Sequence, residues 1–253
     1  MRNRFIDEYQ VLLLDMGNTF MFGGDRYGEA EDYHATYREL GGTVLSRNEV
    51  QTHIAEVFDR MLTAARDPSR VNDFGDVRRF LAESKRVVAL PASEVNLLVD
   101  VFSQHEVGSI PQTHAEAIHQ LRASHPIGIV SNVWSPSSVF ESALDRVGIR
   151  DLFAVRVWSS DCLSIKPSPR LFQKALDAFR VDAARTLYVG DNPRRDIVGA
   201  KAMGMGVVWI ENPTRPLTPE IPEPDLIISD LTQLAKATSN ERTAEQPDRT
   251  RLR

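Results

Sequence analysis

Three aspartates, one lysine and a handful of hydroxyl and amide residues stand out because each group follows a short apolar run. Asp15 closes the run Val11-Leu12-Leu13-Leu14 and leads into Met16-Gly17-Asn18-Thr19. Ser131 and Asn132 follow a second run, Lys166 comes after a third, and Gly190-Asp191 with Asp196 after a fourth. Carboxylates are hard oxygen ligands, so Asp15, Asp191 and Asp196 suit a Mg²⁺ ion. Lys166, the Thr19 and Ser131 hydroxyls and backbone N–H groups suit a phosphate. Each piece also has a plain explanation. Asp15 can cap a turn, and Ser131-Asn132 can start the helix after Pro136. Lys166 can be a solvated lysine, and Asp191-Asn192 can cap a helix that Pro193 enters early. Asp196 can simply favour the helix dipole. A carboxylate directly after a buried strand is costly without compensation, however, and all four groups fall in register with successive strand ends.

The elements that would position these residues form a regular alternation. After the first strand, residues 22–108 carry apolar residues at helical spacing and no convincing strand. Four helices are expected there, separated at Gly41-Gly42, Asp67-Pro68 and Leu90-Pro91. Downstream, helices are predicted over 111–123, 135–147, 169–179, 195–203 and 231–237. Strands are predicted over 127–130, 155–158, 186–189, 207–210 and 226–228. Strands alternating with helices argue for an α/β fold with a parallel sheet covered on both faces. Residues 239–253 are polar and are expected to be a disordered tail, with a tag or a basic arm as other readings.

Composition narrows the function classes. The 253 residues are 42% hydrophobic and 26% charged, with a net charge of -5, as in a globular protein with no call for nucleic acid or an anionic membrane. One cysteine, Cys162, excludes an intrachain disulfide and a multi-cysteine metal site. No apolar run reaches the ~18 residues of a membrane span, and the start of the chain lacks the apolar stretch of a secretory signal, so a cytoplasmic location is expected. The six histidines show no metal-ligand spacing, and Gly204-x-Gly206 follows a helix rather than a first strand, unlike a dinucleotide fingerprint.

The order Asp15-x-x-x-Thr19, Ser131-Asn132, Lys166-Pro167 and Gly190-Asp191-Asn192-x-x-x-Asp196 resembles the four motifs of the haloacid dehalogenase-like hydrolases. The stretch from Tyr188 to Trp209 is similar as well, and the resemblance spans roughly residues 11–234. It implies a Rossmann-like doubly wound core over 1–21 and 109–238 and an inserted all-helical cap over 22–108. It further implies that Asp15 is a nucleophile forming an aspartyl phosphate, and that Thr19 and Ser131 bind phosphoryl oxygens while Asn132 supports the loop. Lys166 would pair with Asp15 and neutralise developing charge. Mg²⁺ would be held by Asp15, the Gly17 backbone carbonyl, Asp191 and Asp196. The partner would be a small phosphorylated molecule; oligomeric state stays open.

One position departs from that pattern. Phosphatases of the family carry a second aspartate two residues after the nucleophile, which protonates the leaving group and activates water; this chain has Gly17. Losing such a group costs on the order of 10²–10⁴ in rate, least for good leaving groups. The leading expectation is therefore a Mg²⁺-dependent phosphatase that is weakened, suited to a good leaving group, or helped by a cap residue among Asp25, Arg26, Glu29, Glu31, Asp32, Tyr33 and His34. Alternatives are a catalytically weak or inactive binding protein and a 2-haloacid dehalogenase-like hydrolase. Phosphonate cleavage needs a cap lysine, and Lys85 is the only lysine of the insertion.

Overall fold

The computed structural model describes residues 4–236. Short apolar runs become strands β1 (Val11–Leu14), β2 (Ile127–Ser131), β3 (Phe153–Trp158), β4 (Thr186–Gly190), β5 (Gly206–Ile210) and β6 (Leu226–Ile228). They form one six-stranded parallel sheet in the order β3-β2-β1-β4-β5-β6. The chain winds outward from β1 in both directions, so the loops after β1 and β4 part from each other at the sheet's switch point, where α/β folds open a crevice. Leu14 pairs with Val189, and Asp15 N–H donates to Val189 O at 2.8 Å, which sets Asp15 beside the end of β4.

Strand side chains alternate between faces, which divides the core in two. Leu12, Leu14, Ile129 and Val189 pack on one face against Ile118 and Leu121 of helix α5 (Gln112–Ser124), Phe140 of α6 (Ser137–Arg146) and Leu231 of α10 (Leu231–Lys236). Val11, Leu13, Val130, Tyr188 and Trp209 pack on the other against Leu171 and Phe172 of α8 (Pro169–Phe179) and Ala200 of α9 (Val198–Ala202). A further short helix, α7 (Ser159–Cys162), follows β3.

Between β1 and α5 lie four helices, α1 (Tyr33–Glu39), α2 (Arg47–Arg66), α3 (Val77–Ala82) and α4 (Ala92–Glu106). This is the expected helical cap on a Rossmann-like core. Its entry and exit strands are pinned together by Phe22 N to Ser109 O and Ser109 N to Phe22 O, both 2.8 Å. The cap has its own core, built on Tyr37, Ile54, Met61, Phe80 and Phe102, and it takes in Ile165 and Trp134 from the sheet's loops. Cap and core are also joined by backbone bonds, Val77 N to Trp134 O at 2.8 Å and Ile165 N to Val71 O at 2.9 Å.

Three elements differ from the sequence reading for physical reasons. The helix expected over 135–147 begins at Ser137 because the N–H groups of Trp134 and Ser135 donate instead to the Glu106 carboxylate at 2.6 Å. The strand expected from 155 begins at Phe153; it lies at a sheet edge, and half-exposed Arg156 interrupts its apolar pattern. The helix expected over 195–203 is a π-helical turn, Pro193–Ile197, running into α9, a wider turn that sets Asp196 beneath β4. The tail reading over 239–253 lies outside the described residues, as does residue 237 of the last helix.

Candidate active site

The four strand-end loops converge. Lys166 Nζ lies 2.8 Å from Asp15 Oδ1 and 2.7 Å from Asp196 Oδ1, and donates to the Tyr188 hydroxyl at 2.8 Å. Ser131 Oγ donates to the same Asp15 Oδ1 at 2.7 Å. Oδ1 of the aspartate is thus fixed by two donors, while its Oδ2 takes none among the described residues. The Lys166 backbone is itself held by Asn132, whose Oδ1 accepts from Lys166 N at 2.8 Å. Its Nδ2 also donates to the Lys166 carbonyl at 3.4 Å. Ser131, expected on a phosphoryl oxygen, here donates to the Asp15 carboxylate. Thr19 Oγ1 is buried and has no hydrogen-bond partner among the described residues, so its hydroxyl is free to meet an anion.

Carboxylate oxygens of Asp15, Asp191 and Asp196 lie within 4.8 Å of one another, all three residues buried. Three clustered carboxylates repel one another unless cations intervene. Lys166 supplies one positive charge from below. Arg215, in the loop after β5, supplies another, with NH1 2.7 Å from Asp191 Oδ2, where Asn212 Nδ2 also donates at 2.7 Å. Asp191 Oδ1 is buried with no hydrogen-bond partner among the described residues. An orphaned carboxylate oxygen facing a cluster of its own kind fits a hard divalent cation. The Gly17 carbonyl accepts no hydrogen bond among the described residues, which is compatible with a ligand role. Asp196 is more committed: besides Lys166 and Tyr188, its Oδ2 accepts from Asn192 N at 2.9 Å.

The electrostatics follow from this burial. Burial alone would lower the Lys166 ammonium, but the charges of Asp15 and Asp196 outweigh it and hold the pKa above its usual value. Burial raises Asp196, with Lys166 opposing and Asp15 and Asp191 adding to the rise. Asp191 is also raised, first by burial and then by Asp15, with Arg215 pulling it down. Arg195, on the π-helical turn, is lowered by burial and by Arg215.

Beside the cluster opens a cavity of about 220 Å³, lined among others by Gly17, Asn18, Asp25, Glu106, Asn132 and Arg215. A side chain at Gly17 would meet nothing within 4 Å, so the missing carboxylate leaves open space there. Of the cap residues considered as helpers, Asp25 alone is among those lining this cavity. Arg215, Asn212 and Glu106 escaped the sequence reading. Arg215 and Asn212 lie in an irregular loop with no motif, and Glu106 looks like any polar helix end. Tyr188 is visible in sequence only as part of an apolar strand and of the family resemblance.

The sequence profile described as "Haloacid dehalogenase-like hydrolase" matches residues 33–210, a stretch that holds Ser131, Lys166, Asp191 and Asp196. The chain is 39% identical over 87 residues to a phosphoserine phosphatase of Thermus thermophilus, covering 34% of each chain. It is 38% identical over 103 residues to a glyceraldehyde 3-phosphate phosphatase of Pyrococcus abyssi, 40% of this chain and 42% of the relative. These alignments thus span well under half the length of either relative. A crystal structure of a 2-haloacid dehalogenase from Pseudomonas syringae pv. Tomato superposes over 90% of this chain and 97% of that one, with 25% identity and a TM-score of 0.62.

Proposed function

The chain belongs to the haloacid dehalogenase-like hydrolase family, and from that premise we propose that it is a phosphatase acting on a small phosphorylated molecule through an aspartyl phosphate on Asp15. The observation that carries the reading is the placement of Lys166 Nζ between Asp15 and Asp196 while Ser131 holds the same Asp15 oxygen. Two donors on Oδ1 leave Oδ2 as the attacking atom. Its bond to phosphorus forms as the bond to the leaving oxygen breaks, and water later cleaves the acyl phosphate. Lys166 and the Thr19 hydroxyl stabilise charge on the phosphoryl oxygens, and Ser131 keeps the nucleophile oriented. Asp191, with Asp15, the Gly17 carbonyl and Asp196 in support, would hold Mg²⁺, which shields the nucleophile from the phosphate's negative charge. We place the cap at residues 22–108, where the Phe22–Ser109 bridge joins the two ends of the insertion. A cap joined to the loops after β2 and β3 through Trp134 and Ile165 suits enclosing a small substrate.

The test is a panel of acyl, aryl and alkyl phosphates with and without Mg²⁺. Metal-dependent turnover that Asp15→Asn abolishes supports the reading; no turnover of any of the three removes it. The likeness to the Pseudomonas dehalogenase favours a second reading, attack of Asp15 on the carbon of a 2-haloacid. The orphaned Asp191 oxygen argues against it, since carbon–halogen displacement has no use for a cation site beside the nucleophile. Metal-independent halide release would establish it.

A further inference from the structure

Expulsion of an alkoxide from a phosphate ester needs a proton, and the attack of water on the acyl phosphate needs a base. Lys166 is spoken for by three acceptors, and Gly17 brings no side chain. Two carboxylates line the cavity beside Gly17, Glu106 and Asp25. Both Glu106 oxygens accept backbone N–H groups at 2.6 Å, which fastens it to the loop after β2. The carboxylate of Asp25, by contrast, makes no hydrogen bond and no ion pair among the described residues.

The backbone around Asp25 is tightly held although its side chain is free. Asp25 N donates to Glu106 O at 3.1 Å and Arg26 N to His105 O at 2.8 Å. Gly24 packs so closely on the return strand that a Cβ would collide with the Glu106 carbonyl. The Arg26 guanidinium caps the carbonyls of Gly23, Gln104 and Val107. Asp25 itself sits at φ 53, a left-handed conformation that aspartate and asparagine accept more readily than most side chains. The crossing between core and cap therefore holds one free carboxylate on a fixed backbone at the cavity that Gly17 also lines.

We infer that Asp25 is the acid and base of the reaction, standing in for the carboxylate that position 17 lacks; this rests on the phosphatase reading above. In the first half, the bond between phosphorus and the leaving oxygen breaks. Its electron pair stays on that oxygen, which takes the Asp25 proton, while Asp15 Oδ2 bonds to phosphorus. In the second half, the Asp25 carboxylate takes a proton from water as the water oxygen bonds to phosphorus. The bond from phosphorus to Asp15 then breaks, its pair returning to the carboxylate, and Asp25 is protonated again. The protein around Asp25 desolvates it and raises its pKa, Arg215 and Arg195 pull it down, and the Asp15 charge pushes it up again. Glu106 shares this environment.

The test is single-turnover phosphorylation of the enzyme by an aryl and an alkyl phosphate, in wild type, Asp25→Asn and Asp25→Asn/Gly17→Asp. Asparagine keeps the shape and the left-handed backbone, so the fold is not at stake. Asp25→Asn is expected to slow phosphorylation by the alkyl ester by about 10²–10⁴ and by the aryl ester far less. The phosphoenzyme should then persist, because its hydrolysis has lost its base. Adding Gly17→Asp puts a carboxylate into the same cavity and should restore alkyl phosphorylation. Equal slowing of both esters, or none, overturns the assignment and leaves the phosphatase reading intact. Absence of a phosphoenzyme in the wild type with either ester overturns both.

Discussion

Replacing Lys166 by methionine tests how the cluster is held together. The ammonium is buried, 2.8 Å from Asp15 and 2.7 Å from Asp196, and methionine fills its volume without its charge. Breaking a buried ion pair from one side costs about 3–5 kcal/mol, because the partner charge stays behind. Here two carboxylates are left, one of them fully buried. The cost must depend on pH. Asp196 already titrates above its ordinary value, and losing Lys166 raises it further. A carboxylate with a raised folded pKa adds stability below its unfolded pKa, and that contribution is lost as pH rises through the folded one. Lys166→Met should therefore be worst at pH 8, by about 3–5 kcal/mol. About 2–4 kcal/mol should return by pH 5, at roughly 1.4 kcal/mol per unit as a carboxylate takes a proton. Urea unfolding of wild type and variant at both pH values measures this. An equal loss at pH 5 and pH 8, or a larger one at pH 5, refutes the picture of Lys166 as the counter-ion of the cluster.

Two further outcomes follow from the same geometry. Burial pushes Glu106 up to about 7, so its contribution to stability is full below about 4.5 and fades as pH rises through 7. Glu106→Gln should be the less stable protein at pH 4.5 and gain on wild type by about 3.5 kcal/mol up to pH 8, about 2.5 units at roughly 1.4 kcal/mol each; a variant that loses ground over that range contradicts it. A Cβ at Gly190 would press on the Asp196 carboxylate, so Gly190→Ala should cost about 1–3 kcal/mol in a thermal or urea melt and lower phosphatase activity without removing an ionisable group. Unchanged activity would show that Asp196 need not sit where it does.

Much of the site was legible because its signals are local. Asp15, Ser131 and Asp191 each close an apolar run, and a residue closing a buried parallel strand must lie at the sheet's carboxyl edge. The cap helices were legible for a similar reason, each carrying its apolar stripe between Gly or Pro breaks. What escaped depends on tertiary contact. Nothing in the sequence around Arg215 points to Asp191, and nothing at the end of α4 says that Glu106 will take the N–H groups of Trp134 and Ser135. The π-helical turn escaped because its apolar spacing reads equally well as an ordinary helix. Asp25 was one of seven polar residues near the start of the cap, and only the cavity separates it from the rest.

The central claim is that Asp15 becomes covalently phosphorylated. Acid quenching during turnover of an aryl phosphate with Mg²⁺, followed by mass spectrometry of the digested protein, addresses it directly. The account predicts a phosphoryl group on the peptide containing Asp15, lost on brief alkaline treatment and absent from Asp15→Asn. Steady turnover with no label on Asp15, or with the label on another residue, would contradict it.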